Sequence, residues 1–349
     1  MYIKSLGLSN YRNYSRKTVN FDRRLNIIVG KNGTGKTNIL ESIIFVSNTK
    51  SFRTNNDRDL IKKGEEFARI DLNTNKESYR VVINKRNKSL YINNNLINRS
   101  SQFIGKINAI LFKPSDLELF TQSPSERRKL LDIEISKISP RYIQSLLNYN
   151  SLLKDKNRLL KEEKIDEVLF DVFNESMVPM IKTIIAERER FFEAINKYIN
   201  PIYRMISGRD SKIKVSYKKC SEIEFVEDEL KKSKDRDYYY HYATYGPHQD
   251  DYTFSMDGYD INSIASQGQK RMVLIAFKFA LVKYVQNEIL STPIVLLDDI
   301  LSELDKDNQE RLLNSIPDNT QIIITNTDIN NLKIDKEYRL IELKEEEDV

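Results

Sequence analysis

The chain has one cysteine, Cys220, two histidines, His241 and His248, and no tryptophan. A single thiol excludes an intrachain disulfide and any paired-cysteine zinc site, and two imidazoles leave transition-metal chemistry few ligands. Glycine and proline are sparse, at 10 and 8 of 349 residues, so neither a fibrous nor a low-complexity chain competes with a globular one. No apolar run approaches the roughly 18 residues that a spanning helix needs. Charges also interrupt the first apolar residues too early for a secretory leader, which predicts a cytoplasmic protein without a membrane partner.

What is present suffices for one large α/β domain and a smaller companion: 40% of residues are hydrophobic and 31% charged. Lys and Arg outnumber Asp and Glu by 56 to 51, a formal +5, which mildly favours a polyanionic partner without deciding it.

The first stretch alternates like a strand through Tyr2–Tyr11, continues at Val19–Phe21, and gives a compact apolar strand at Leu25–Val29. Ile39, Ile43 and Val46 share one face of a helix, and the RVVINKR and SLYINNN segments read as a hairpin. From Ser125 to Asp237 the texture becomes Leu, Ile, Lys and Glu at helical spacing, with breaks expected at Pro140, Pro179 and Pro201. The KDRDYYY run reads as entering a strand. A helix is expected over Lys270–Leu290 and a buried strand over Ile294–Leu297. The expected organisation is therefore a head in two parts, residues 1–124 and 238–349, around a helical insertion at 125–237. The acidic end ELKEEEDV reads as solvated.

Gly30-Lys31-Asn32-Gly33-Thr34-Gly35-Lys36-Thr37 fits G-x-x-x-x-G-K-T, after a strand and before a helix. Glycines at this spacing let backbone N–H groups turn around phosphate oxygens, with Asn38 in the first helical turn. Lys36 reaches the terminal phosphates, and Thr37 ligates Mg²⁺ on a bound ATP. An apolar strand ending in Asp298 and Asp299 places carboxylates where a magnesium nucleotide sits, so Lys36, Asp298 and Asp299 form the expected catalytic set, with Thr37 and Asp298 on the metal.

Beyond these, Ser302-Glu303-Leu304-Asp305 resembles the D-loop of ABC ATPases. Ser266-Gln267-Gly268-Gln269-Lys270-Arg271, just ahead of the long helix, resembles their signature motif. In that reading Ser266, Gly268 and Gln269 form a second anion site, serving the nucleotide of a partner copy. Read without the resemblance, SQGQ is a helix N-cap. The implied fold class is α/β: an ABC-type ATPase head, with a mixed sheet and flanking helices, carrying a helical insertion as a second lobe.

Three segments narrow the resemblance to the RecF family: Leu8–Tyr14, Leu111–Asp132 with its Pro-x-x-Arg-Arg run, and Thr244–Tyr252 with Gly-Pro-His. Membership implies a weak, DNA-stimulated ATPase that forms an ATP-dependent homodimer on double-stranded or gapped DNA. It also implies partnership with RecR, alongside RecO, in loading RecA on strands coated by single-strand-binding protein during repair, replication and the SOS response. The chain departs from the wider ABC pattern in three places. Asp299 stands where a glutamate is usual, so hydrolysis should be slow. The switch histidine after QIIIT is absent, leaving Thr325, Asn326 or Thr327. No glutamine follows the strand at Ile110–Phe112, with Gln102 and Gln122 poor substitutes.

A transporter subunit is disfavoured by the roughly 230 residues between P-loop and signature. A bridging tether is disfavoured by an insertion whose legs reach at most about 80 Å at 1.5 Å per residue. Another SMC-like DNA-associated ATPase, or a nucleotide-stabilised scaffold that does not hydrolyse, stays open. For DNA contact the sequence offers Lys85, Arg86 and Lys88 on the hairpin turn, Arg127, Arg128 and Lys129 at the start of the insertion, and Arg12.

Overall fold

The computed structural model describes residues 1–289, 291–317, 319–331, 334 and 336–344. Leu290, at the expected end of the long helix, and Glu345–Val349 of the acidic end lie outside the described residues, as does the side chain of Glu303.

Along the chain come β1 (Ile3–Tyr11), β2 (Tyr14–Asn20), β3 (Leu25–Val29), α1 (Lys36–Asn48), β4 (Phe67–Thr74), β5 (Ser78–Asn84), β6 (Lys88–Ile92) and β7 (Asn95–Ile97). Then follow α2 (Ser100–Phe103), β8 (Ala109–Phe112), α3 (Pro124–Ser136), α4 (Pro140–Leu159), α5 (Glu167–Ser207), β9 (Ile213–Lys218), α6 (Val226–Lys232) and α7 (Lys234–Tyr240). The remainder is β10 (Asp251–Met256), β11 (Tyr259–Asp260), α8 (Ile261–Ile264), α9 (Gln267–Ile289), β12 (Ile294–Asp298), α10 (Lys306–Ser315), β13 (Ile322–Asn326) and β14 (Arg339–Glu342).

The chain divides into two compact units. The first is Met1–Asp116 with Pro201–Asp210 and Arg271–Val349; the second is Leu117–Asn200 with Ser211–Lys270. This differs from the expected boundaries, because 238–270 goes with the insertion. The reason is pairing: among the described residues β10 hydrogen-bonds to β9 and β11 in their own three-stranded sheet, and to no strand of the head.

Within the first unit, a parallel sheet runs β14-β3-β13-β12-β8 and an antiparallel sheet runs β2-β1-β4-β5-β6-β7. Strands β3, β12 and β13 are buried along nearly their whole length because both faces are covered, whereas β4 and β5 alternate buried and partly exposed positions, as a sheet with one wet face must. Helix α1 is buried almost all round. Ile39, Ile43 and Phe45 share one core cluster with Leu6, Ile70 and Val81 of the antiparallel sheet and Leu296 and Ile323 of the parallel one. That packing fixes the start of α1, and with it the loop that precedes it.

In the second unit, Pro140 begins α4 at its first turn, as expected, but Pro179 lies inside the 41-residue α5, as does Pro201, in the last turns of that helix, which belong to the first unit. An interior proline costs about 3 kcal/mol. Here Ile181, Ile184, Ile185, Phe191, Phe192, Ile195 and Ile199 are all nearly fully buried at helical spacing, and each such side chain contributes roughly 1.5–3 kcal/mol, so burial outweighs the breaks. KDRDYYY is likewise a helix, α7, rather than the start of a strand. Its Asp237 is fully buried against Lys156 at 2.8 Å and accepts the N–H and hydroxyl of Thr244, contacts that override the strand preference of tyrosine.

Candidate nucleotide site

At the carboxyl end of β3, residues Gly30–Lys36 leave the sheet and enter α1. Gly35 holds φ +94°, and a Cβ there would collide with the Tyr14 hydroxyl, so only glycine fits. Tyr14 donates to the carbonyl of Thr34 at 3.0 Å, and Thr34 Oγ1 donates to that of Lys31 at 2.9 Å. Lys36, 5% exposed, donates through Nζ to the carbonyls of Gly30 and Lys31 at 2.7 and 3.0 Å. The ammonium is thus held over the loop whose backbone surrounds it, ready to exchange carbonyls for phosphate oxygens.

The strand order brings β12 beside β13 and β13 beside β3, with Asp298 level with Thr325 and Asn326 level with Val29. Sequence positions some 260 apart therefore meet. Thr37 Oγ1 donates to Asp298 Oδ1 at 3.1 Å, and Thr325 Oγ1 donates to the same oxygen at 2.8 Å. Burial pushes the Asp298 carboxyl above the ordinary carboxylate range; the Thr325 hydrogen bond opposes this, and the neighbouring Asp299 charge reinforces it. Asp299 sits at φ +52°, a left-handed conformation uncommon for a non-glycine residue, while its N–H donates to Thr325 Oγ1 at 3.1 Å.

Sequence reasoning missed the outer brace of the loop. Asn13 accepts from Asn38 Nδ2 at 2.7 Å, and Arg53 Nη1 donates to Asn38 Oδ1 at 2.7 Å. Arg53 also lies close enough to lower the pKa of Asp298. Arg12 makes a bidentate pair with the fully buried Glu41 of α1, at 2.8 and 2.6 Å. The NYRNY run in the first hairpin was the only visible signal, since nothing local marks Arg53.

Ser266, Gly268 and Gln269 belong to the other unit. Ser266 Oγ accepts from the N–H of Gln269 at 3.2 Å, and Gln269 Oε1 accepts from the N–H of Ser266 at 2.9 Å, a reciprocal capping box. The box fixes the first turn of α9, whose Gln267 and Gly268 N–H groups have no carbonyl one turn earlier to bond. At the segment that resembles a D-loop, Gln309 of α10 donates to the carbonyls of Leu301 and Leu304 at 2.8 and 3.1 Å, and Ser302 donates to the carbonyl of Asp299.

The basic candidates fare differently from one another. Lys88 is turned inward, onto Asp57 at 2.8 Å and the Phe45 ring. Lys85 pairs with Glu66 at 2.6 Å, and Arg86 is exposed on the turn. Arg127 is bound through two nitrogens to Asp251, both at 2.7 Å, Arg128 donates to the carbonyl of Asp250, and Lys129 pairs with Glu126. Those bonds join two of the segments that carry the family resemblance. At their centre lies Arg188, 1% exposed, which binds Asp132, Asp250, the carbonyl of Pro247 and the Tyr142 hydroxyl.

The family model for the RecF/RecN/SMC N terminal domain matches residues 2–348. The chain is 38% identical to the DNA replication and repair protein RecF of Agathobacter rectalis, with 98% of each chain covered. It is 35% identical to that of a Geobacillus strain, covering 96% of this chain and 94% of the other. Among solved structures, it is similar to the recombination mediator protein RecF-ATPrS of the RecFOR pathway, with TM-score 0.89, 28% identity and coverage of 99% and 96%. An Smc head bound to the C-terminal winged-helix domain of ScpA shares the fold, with TM-score 0.56 at 20% identity over 95% of this chain and 92% of that one.

Proposed function

Because the chain belongs to the RecF/RecN/SMC family, we propose that it is a slow ATPase whose bound ATP joins two copies of the head on DNA, as a recombination mediator. One observation carries the reading. Lys36, Thr37 and Asp298 meet at the carboxyl ends of β3 and β12, where the backbone of residues 30–38 curls at the N-terminus of a helix. The polyphosphate lies along those N–H groups, and Lys36 exchanges its carbonyl partners for the β- and γ-phosphate oxygens. The Thr37 hydroxyl and the Asp298 carboxylate, 3.1 Å apart, are the hard oxygen donors that suit magnesium, which when bound neutralises phosphate charge. Asp299 orients the attacking water with a carboxylate one methylene shorter than glutamate, which supports slow turnover.

Ser266, Gly268 and Gln269 cap α9 from the unit that does not hold the P-loop, and they serve the γ-phosphate bound by a second copy. Two-fold symmetry then makes two shared sites, and ATP shifts association by its preference for the dimer. The RecF names of the relatives, and the RecFOR pathway named for one solved structure, support duplex and gapped DNA as substrate, RecR as partner with RecO, and assistance to RecA loading. The protein acts in the cytoplasm; among the described residues no helix is long and apolar enough to cross a membrane.

Sedimentation with ATP and Mg²⁺ tests the shared site. The wild type should dimerise with ATP and not with ADP, and Ser266→Arg should bind ATP as a monomer. A wild type that stays monomeric with ATP defeats the reading.

A further inference from the structure

The outward face of the antiparallel sheet in the first unit is not used by the nucleotide site. Its inward positions, among them Leu6, Ile70, Leu72, Val81 and Leu90, belong to the core, so strand alternation sends Arg69 and Asp71 of β4, Arg80 of β5 and Tyr91 of β6 the other way. The register lines these residues up. Asp71 is paired with Arg80, and Arg80 with Tyr91, in one row; Arg16, Ser9 and Arg69 form the adjacent row, and Phe67 stands at the next outward position along β4.

Three guanidiniums thus share this face with Asp71, its sole carboxylate among the described residues. The other outward positions hold Ser, Thr, Asn, Gly, Val and Leu, which keep the floor low. Asp71 serves to orient its neighbours. It accepts from Arg69 Nη2 at 3.0 Å and from Arg80 Nε at 2.7 Å, leaving further N–H groups of both forks for a ligand. Among the described residues, Arg16 has no ion-pair partner. Phe67 is 43% exposed and Tyr91 is partly exposed, so both aromatic side chains are accessible from solvent on this face.

We infer that this face binds a single strand of nucleic acid, with Arg16, Arg69 and Arg80 on its phosphates and Phe67 and Tyr91 stacked on its bases. The excess of two positive charges matches a polyanion, and aromatics set among fixed arginines on an antiparallel sheet are the means by which single strands are gripped without regard to sequence. A closed duplex offers no unstacked base to Phe67 or Tyr91, so the surface fits the single-stranded part of a gapped substrate. Exposed Arg86, in the turn after β5, extends the basic track beyond Phe67. The inference rests on the DNA-binding reading above and adds to it the surface and the strand.

The test is fluorescence anisotropy of the full chain, with ATP and Mg²⁺, on labelled oligo-thymidine and on a blunt duplex. Two variants are compared: Arg16→Ser with Arg69→Ser and Arg80→Ser, and Phe67→Ser with Tyr91→Ser. All five positions face outward, and an unchanged ATP titration verifies the fold. Oligo-thymidine affinity should fall roughly tenfold or more in each variant while duplex affinity holds. In the arginine variant the logarithmic salt slope should shrink by about 0.7 for each phosphate no longer neutralised. If the wild type binds duplex but not oligo-thymidine, or if both variants bind the oligonucleotide as the wild type does, this face is not the site and the DNA reading stands. Wild-type protein that binds neither probe removes both.

Discussion

Around Arg188 the buried polar groups satisfy one another. Its three guanidinium nitrogens reach Asp132, Asp250, a carbonyl and Tyr142; Tyr217 and the Cys220 N–H complete Asp250; and Tyr149 meets His248. Around Asp298 the bonding is left open. Asn326, 1% exposed and one residue beyond the level of Asp298, has no partner for its Nδ2 among the described residues, Asp299 stands at a positive φ, and Lys36 rests on carbonyls it can leave. Both clusters are buried and both bring distant segments together. The difference is that an orphaned buried donor costs roughly 1–3 kcal/mol, which a scaffold avoids and a binding site tolerates because its ligand supplies the missing partner. The cluster with the more complete bonding is therefore the structural one, although it holds two of the family's distinctive segments.

That contrast breaks if the two clusters respond alike to substitution. Arg188→Met should be the most damaging change. It leaves Asp132 and Asp250 without their cation and should cost about 3–5 kcal/mol in urea unfolding, while ATP affinity of the folded fraction is retained. Stability equal to the wild type would put the Arg188 cluster in the same class as the nucleotide site. Asp299→Asn should do the reverse, slowing single-turnover hydrolysis by about a hundredfold or more with the unfolding midpoint unmoved. Lys36→Ala should weaken ATP by roughly tenfold or more, through loss of a charge-assisted hydrogen bond, and again leave stability nearly unchanged.

The smallest effect sharpens the comparison at His248. Burial holds its imidazole pKa below the ordinary value, and its two nitrogens meet Tyr149 and the carbonyl of Ala243. The folded state therefore keeps His248 neutral where the unfolded chain takes up a proton. Its contribution is complete above about pH 6.5 and is lost as pH falls below that value toward the lower folded pKa. Thermal melts at pH 7.5 and 5.5 should show this loss in the wild type and a smaller one in His248→Gln. Tyr149→Phe should cost about 1 kcal/mol at either pH, and an identical pH response in all three proteins would show that His248 does not govern it.

How much of this was legible depends on how far apart the determining residues lie. The P-loop, the apolar strand ending in Asp298 and the Ser266–Gln269 cap are each written within a few residues, and each takes the local form that its spacing predicts. The brace from Asn13 and Arg53 was not legible, because it depends on which loops the two sheets bring to the start of α1. Arg127 and Lys88 read as surface cations until the fold set Asp251 and Asp57 beside them.

The sequence by itself determined the glycine-bearing turn between β3 and α1, the helix start that follows it, and the alternation of apolar strands and helices. These are properties of short-range stereochemistry, in which glycine φ angles, helix starts and strand periodicity act within a few residues. Only the tertiary structure decided that β10 pairs with β9, that α5 runs through two prolines, and that Thr37 and Asp298 share a hydrogen bond. Each of those outcomes is a competition between a local preference and the burial or pairing of groups tens to hundreds of residues away. Which of the two prevails is fixed only once the cores have closed.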